Sequence, residues 1–235
     1  MNQITYFDAE NFQLQRGGML PLTRLAYRTI GTLNAAKDNV VLIPSWYAGS
    51  DPESEWVFSG PGRAIDPDRH FIIYTNLLGG GQSSSPSNTP APFDRARFSA
   101  VTLLDNVRLQ HALVTQVFGI EKIKLVTGWS MGAAQAYQWA SFYPDMVERI
   151  ALVAGAARTA SFNRAFLLSM RRAIELDPAF EGGYYTRPPI GGLKAFASIY
   201  AGWGVSEEFF RTGAYGAFGA ENHEEFVQFS GNRFS

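Results

Sequence analysis

Residues 123–143 read IKLVTGWSMGAAQAYQWASFY, and this stretch limits what the chain can fold into more than any other. Ile123 to Thr127 is a short apolar run rich in β-branched residues, of the length of a buried strand. Gly128-Trp129-Ser130-Met131-Gly132 follows, a G-x-S-x-G pentapeptide, and then Ala133 to Ala140, strong helix formers that end before Pro144. Strand, tight turn and helix in this order present the serine on a strained bend. Its backbone is driven toward a sparsely populated φ/ψ region, so small neighbours are needed, and Gly128 and Gly132 let strand and helix approach closely. The helix begins just after Ser130, which aims its free N–H groups and positive dipole end at the place where an oxyanion would form. Ser130 is therefore the candidate nucleophile and the Met131 N–H a candidate oxyanion donor. The bland alternative, a chance pentapeptide in a loop, accounts for neither the apolar run before it nor the helix formers after it.

At 235 residues the chain is long enough for one α/β domain with a substantial core. Its net charge of -1 gives no electrostatic reason to expect nucleic acid or an anionic membrane as partner. No apolar run approaches the ~20 residues that span a bilayer. The opening MNQITYFDAENF carries acids and no apolar core, so no secretory signal is expected. Cysteine is absent, which removes disulfides, thiolate catalysis and cysteine metal sites together. The three histidines, at 70, 111 and 223, are far apart and lack metal-ligand spacing. No metal or cofactor is expected, and a cytoplasmic address is the default reading.

Phe12 to Arg16 and Leu22 to Ile30 alternate in strand fashion about Gly17-Gly18 and predict an antiparallel hairpin. Asn39 to Pro44 and Phe71 to Asn76 are continuous apolar runs, hence fully buried strands, joined by a loop through Arg63. Leu78 to Pro92, LGGGQSSSPSNTPAP, reads equally as a flexible linker or as a site-lining loop at the carboxyl end of a strand. Val101 to Phe118 places Val101, Leu104, Val107, Leu109, Leu113 and Val117 on roughly one helix face and ends at Gly119. His111 within it reads as a packing or surface residue. Arg149 to Ala154 is one more buried strand. Strands alternating with helices predict a mostly parallel sheet with crossover helices, opened by the hairpin. From Ser161 the character changes, with helix-like segments at 165–175 and 193–200 broken by Gly and Pro. The division expected is a core over 1–160 and a helical cap over 161–235, whose aromatics read first as packing, with Trp203 and the tyrosines open also to lining an acyl pocket.

Taken together, these pieces resemble the α/β-hydrolase fold and, within it, the homoserine O-acetyltransferase-like group. The resemblance covers about Arg63 to about Tyr200. It is carried by GPGRAIDPDRHFIIYTNLLGGGQSSSP, DNVRLQHALV, GWSMGAAQAYQWASFYPDMVERI and, in the cap, RRAIELDPAFEGGYY with PPIGGL. It implies a Ser-His-Asp triad that passes an acyl group through an acyl-serine. It also implies a second oxyanion donor from the loop Pro44 to Gly49, where the backbone N–H of Tyr47 is the matching position. Trp46 and Trp129 are candidate substrate-lining residues.

Two departures bear on the reaction. Homoserine-specific members have an arginine shortly after the cap's Gly-Leu pair; the matching position here is Ala197, and the loop after the third strand reads SWYAG where those members have a histidine-led sequence. A site without its bidentate carboxylate clamp binds homoserine poorly. Further, the triad acid and histidine follow two more strands in this fold, and none is legible after Ala160. His223 is the sole histidine after Ser130, so Ser130, Asp177 and His223 meet the order formally; the alternative is that the last strands, acid and base lie outside this sequence. The expectation is a serine-dependent acyl hydrolase acting on a small ester. A homoserine O-acetyltransferase-like acyltransferase, with acyl-CoA as a co-substrate, and a non-catalytic or truncated member stay open, as does a homodimer.

Overall fold

The computed structural model describes residues 4–47, 49 and 51–232. They form two compact units, Met1–Arg158 and Thr159–Ser235.

In the first unit β1 (Thr5–Gln13) and β2 (Met19–Ile30) pair antiparallel, from Thr5 opposite Tyr27 to Gln13 opposite Met19. The chain reverses at Gly17 and Gly18, both at φ near +90°, a conformation open to glycine. Then come β3 (Val40–Pro44), β4 (Phe71–Thr75), β5 (Leu125–Trp129) and β6 (Ile150–Val153). The six-stranded sheet runs β1-β2-β4-β3-β5-β6, antiparallel between β2 and β4 and parallel from β4 through β6. The continuous apolar strands bury both faces. Val40 and Leu42 of β3, with Phe71 and Ile73 of β4, join a core under α2 (Leu103–Ala112) and α3 (Met131–Phe142), which contribute Val107, Leu109, Ala136 and Trp139. Val41, Ile43, Ile72 and Tyr74 alternate to the other face and pack with Ile65 and Phe58.

Phe58 ends α1 (Asp51–Phe58), which lies in the segment expected to be loop. Its sequence, DPESEWVF, has a Pro suited to a first turn but no apolar face at helical spacing, so periodicity could not reveal it. Its hold on the sheet is mixed: Phe58 packs on the apolar face, and Arg28, nearly buried on β2, pairs with Glu55 at 2.7 Å. α2 also departs from its expected course. It starts with a reciprocal cap, the Asp105 N–H donating to Thr102 Oγ1 and the Thr102 N–H to Asp105 Oδ2. It then widens into a π-turn over Leu113–Val117, which rotates Val117 off the apolar face and leaves it 49% exposed.

The second unit is helical: α4 (Ser161–Glu175), α5 (Ile190–Gly204), α6 (Glu207–Arg211) and α7 (His223–Asn232). The first two are longer than their sequence signals, and the last two had none: α6 is only five residues long, and α7 follows a turn segment with Gly213, Gly216 and Gly219. Phe166 stacks on Trp203 at 4.7 Å between ring centres, and Phe226 packs with Ala201, Ala220 and Phe209. Among the described residues no strand follows Val153, and no helix is long and apolar enough to cross a membrane.

Candidate active site at the turn from β5 to α3

The sheet places the serine. β3 is flanked by β4 on one side and β5 on the other, so chain connections leave in opposite directions from its carboxyl end, where open α/β sheets bind ligands. Ser130 sits at that edge, between the last residue of β5 and the first of α3, half-buried, at φ 51° and ψ -111°. Holding a non-glycine residue in such a region costs about 1–3 kcal/mol. The surroundings impose it. The Ser130 N–H donates to the Val153 carbonyl of β6 at 2.9 Å, and Thr127 Oγ1 donates to the Ala151 carbonyl at 2.7 Å. A Cβ at Gly128 would stand 2.5 Å from the Gly132 carbonyl carbon, and one at Gly132 would stand 2.3 Å from the Pro44 carbonyl oxygen. Both glycines are thus required by close approach, and the second brings the start of α3 against the end of β3.

The first bond inside α3 runs from the Ala134 N–H to the Ser130 carbonyl at 3.1 Å. The N–H groups of Met131, Gly132 and Ala133 accordingly have no acceptor within the helix and lie at its positive end. Across from this terminus the chain leaves β3 through Ser45, Trp46 and Tyr47. Trp46 and Tyr47 line a cavity of about 220 Å³ with Gly49, Asn76, Leu77, Gly80 and Gln82. Trp129, the other candidate lining residue, ends β5 42% exposed and is not part of that wall.

The serine-rich segment after β4 is built in rather than slack. Ser83 Oγ accepts from the Ala26 N–H at 3.0 Å and donates to the Asn76 carbonyl at 2.9 Å, and Ser84 Oγ accepts from the Arg24 N–H. Its hydroxyls continue the bonding of β2 where β4 has ended, which leaves Gly80 and Gln82 on the cavity wall. The linker alternative is therefore set aside. Polar residues that sequence reasoning passed over also gather nearby: Gln135 on α3 and Gln110 on α2 are both buried, and Gln135 Nε2 donates to the Ser45 carbonyl at 3.0 Å. The one signal was their polarity on otherwise apolar helix faces.

The histidines are dispersed. His111 stacks on Tyr143 at 4.0 Å between ring centres, and burial holds its imidazole below the ordinary value. His70 Nδ1 lies 3.2 Å from the Asp66 carbonyl. His223 is exposed at the first residue of α7. Asp177 accepts from the Gly192 N–H at 2.8 Å and the Ala179 N–H at 2.9 Å, contacts that hold its carboxyl below the ordinary value and join the end of α4 to the start of α5. Ala197 is buried within α5. Among the described residues no three of His, Asp or Glu converge as a metal site.

The strained serine between a parallel strand and a helix, at the reversal point of a mixed sheet, defines the class, and comparison with known proteins agrees. Residues 38–196 match the model of the alpha/beta hydrolase fold family, and the chain belongs to that family. It is 43% identical over 216 residues to an ethyl acetate hydrolase of Pseudomonas veronii, covering 91% of this chain and 62% of that protein. A homoserine O-acetyltransferase of Trichormus variabilis is 40% identical over 205 residues, 82% of this chain and 56% of the other. The solved structure of the acetyl esterase MekB superposes with a TM-score of 0.96 at 40% identity, over 99% of this chain and 68% of that one. The chain thus spans about three-fifths of the length of the two curated relatives.

Proposed function

We propose that Ser130 is the nucleophile of an esterase acting on short-chain, acetyl-type esters. The observation that carries the reading is the backbone of Ser130, held at φ 51° directly before a helix whose first three N–H groups lack a helical acceptor. Ser130 Oγ attacks the ester carbonyl carbon while a general base takes its proton. The carbonyl oxygen becomes an oxyanion that accepts from the Met131 and Tyr47 N–H groups. The C–O bond to the alcohol breaks, the alcohol leaves with the proton returned by the base, and water then cleaves the acyl-serine by the same route. No cofactor or metal is needed. The similarity to an ethyl acetate hydrolase and to an acetyl esterase structure supports the same class.

The general base is His223 or a group outside this sequence, and the two are separated by the His223→Ala variant; both oxygens of Asp177 are committed to backbone N–H groups of its own segment. The experiment is fluorophosphonate labelling and p-nitrophenyl acetate hydrolysis by the intact protein and by its Ser130→Ala and His223→Ala variants. Ser130→Ala is expected to lose all labelling and about 10³-fold or more in kcat, as removal of a triad serine does. A folded protein whose Ser130 stays unlabelled overturns the reading. Full activity in His223→Ala removes that residue from the mechanism. The homoserine O-acetyltransferase relatives favour acyl transfer as a second reading. Ala197, small where that reaction's carboxylate clamp is expected, favours hydrolysis. The yield of free acetate against O-acetylhomoserine decides between them.

A further inference from the structure

A chain of buried side-chain hydrogen bonds joins the segments that carry the two candidate oxyanion donors, and its meaning rests on Ser130 as nucleophile. Trp139 Nε1 donates to Gln110 Oε1 at 2.8 Å, Gln110 Nε2 donates to Gln135 Oε1 at 2.7 Å, and Gln135 Nε2 donates to the Ser45 carbonyl at 3.0 Å. Trp139 and Gln135 are fully buried and Gln110 and Ser45 nearly so. An indole N–H can only donate, so Gln110 must turn its oxygen toward Trp139 and its amide nitrogen toward Gln135. Gln135 must then accept with its oxygen and donate with its nitrogen, which leaves that nitrogen aimed at Ser45. The indole, two amides away, sets which end of Gln135 meets the donor loop.

The place where the relay ends is informative. β3 pairs with β5 at Val41 and Leu42, and among the described residues its β5 side has no ladder partner beyond Leu42. On the β4 side the Ser45 N–H donates to the Thr75 carbonyl at 3.0 Å. The Ser45 hydroxyl is buried without a partner among the described residues, so the loop is not fixed through its side chain. Gln135 supplies the missing restraint from the β5 side, two residues before Tyr47. It makes a longer contact, 3.4 Å, to the carbonyl of Met131. One amide therefore touches the segments that carry both donors. A buried amide costs free energy unless all its groups are paired, and a same-shaped apolar set would be close to neutral in stability. Geometry, rather than stability, is what this arrangement supplies.

We propose that Gln135, oriented by Trp139 through Gln110, is a positioning residue that fixes the Ser45–Tyr47 segment against the start of α3 and so sets the oxyanion geometry. It touches no reacting atom. Its loss acts on the transition state, where the carbonyl oxygen carries charge, more than on substrate binding. The test is Gln135→Met, near-isosteric and without a donor, in the intact protein. The readouts are kcat and KM for p-nitrophenyl acetate, affinity for n-butylboronic acid, which forms a tetrahedral adduct on serine, and melting temperature. The expected result is a fall of about tenfold or more in kcat with KM within about twofold, and boronate binding weakened in parallel. Tenfold corresponds to about 1.4 kcal/mol. A folded Gln135→Met enzyme that loses less than fivefold in kcat, or loses it with unchanged boronate affinity, overturns the proposal. Where Gln135→Met does not fold, Trp139→Phe is read instead, with melting temperature alongside: it keeps Gln135 and removes the indole N–H that orients it, at the cost of a smaller ring in the core. A threefold or larger drop in kcat supports the relay, and an unchanged kcat overturns it. Ser130→Ala, measured alongside, separates the two ideas, since a Ser130→Ala protein that keeps activity defeats the esterase reading and not the relay alone.

Discussion

At the scale of single residues the site is a set of close approaches. Gly132 is among the tightest, and the obstacle a Cβ would meet there, the Pro44 carbonyl, is backbone and cannot swing aside. Gly132→Ala is therefore expected to push the end of β3 away from α3, at a cost of about 1–3 kcal/mol as for other overpacked positions. It should also lower kcat, since the displaced segment leads to Tyr47. Thermal melting together with esterase kinetics checks both effects; a Gly132→Ala variant with native melting and kcat would show that β3 and α3 are not in fact held so close. Ser130 was legible from sequence because its requirement is local, a glycine on either side with a strand before and a helix after. Gln135 was not, because its partners on α2 and after β3 are 25 and 90 residues away along the chain.

Among the elements, those with a regular apolar period or a continuous apolar run were readable and those without one were not. The two strands at Val40–Pro44 and Phe71–Thr75 appear within a residue of their apolar runs. α1, which owes its position in part to the Arg28–Glu55 pair, gave no signal. The end of α2 departs from the expected face because a π-turn breaks the 3.6-residue period on which that face was counted. That same helix carries a group that makes stability depend on pH. Burial holds the His111 imidazole below its unfolded value of about 6.5, so the unfolded chain binds the proton first as pH falls. Stability is thus expected to be constant above about pH 7.5 and to decline as pH drops through 6.5 toward the folded value. Urea unfolding at pH 7.5 and 5.5 measures it. In His111→Phe, which keeps an aromatic ring against Tyr143, the difference between the two pH values should shrink; an equal difference would place the effect on other groups.

For the whole molecule, the alternation of strand and helix announced a parallel sheet, yet strand order had to come from three dimensions. That β3 lies between β4 and β5, with β5 skipping past it, follows from which faces helices can cover rather than from any residue's type. The order has a mechanical consequence. All five residues of β3 are buried and the strand is bonded on both sides, whereas β1 forms an edge with most of its residues exposed or half-exposed. Opening β3 requires separating the sheet at its middle, while β1 can fray from β2 without disturbing the rest. Amide hydrogen exchange should therefore be slowest at Val41, Leu42 and Ile43, with Ile72, Ile73 and Val126 beside them, and faster by orders of magnitude in the outward-bonding amides of β1. Those slow strands are the ones whose ends carry Tyr47 and Ser130, so the residues proposed to act on the ester stand on the least deformable part of the sheet. Exchange in β3 as fast as in β1 would mean that the oxyanion geometry is not held by the sheet, and that closure on substrate would have to create it.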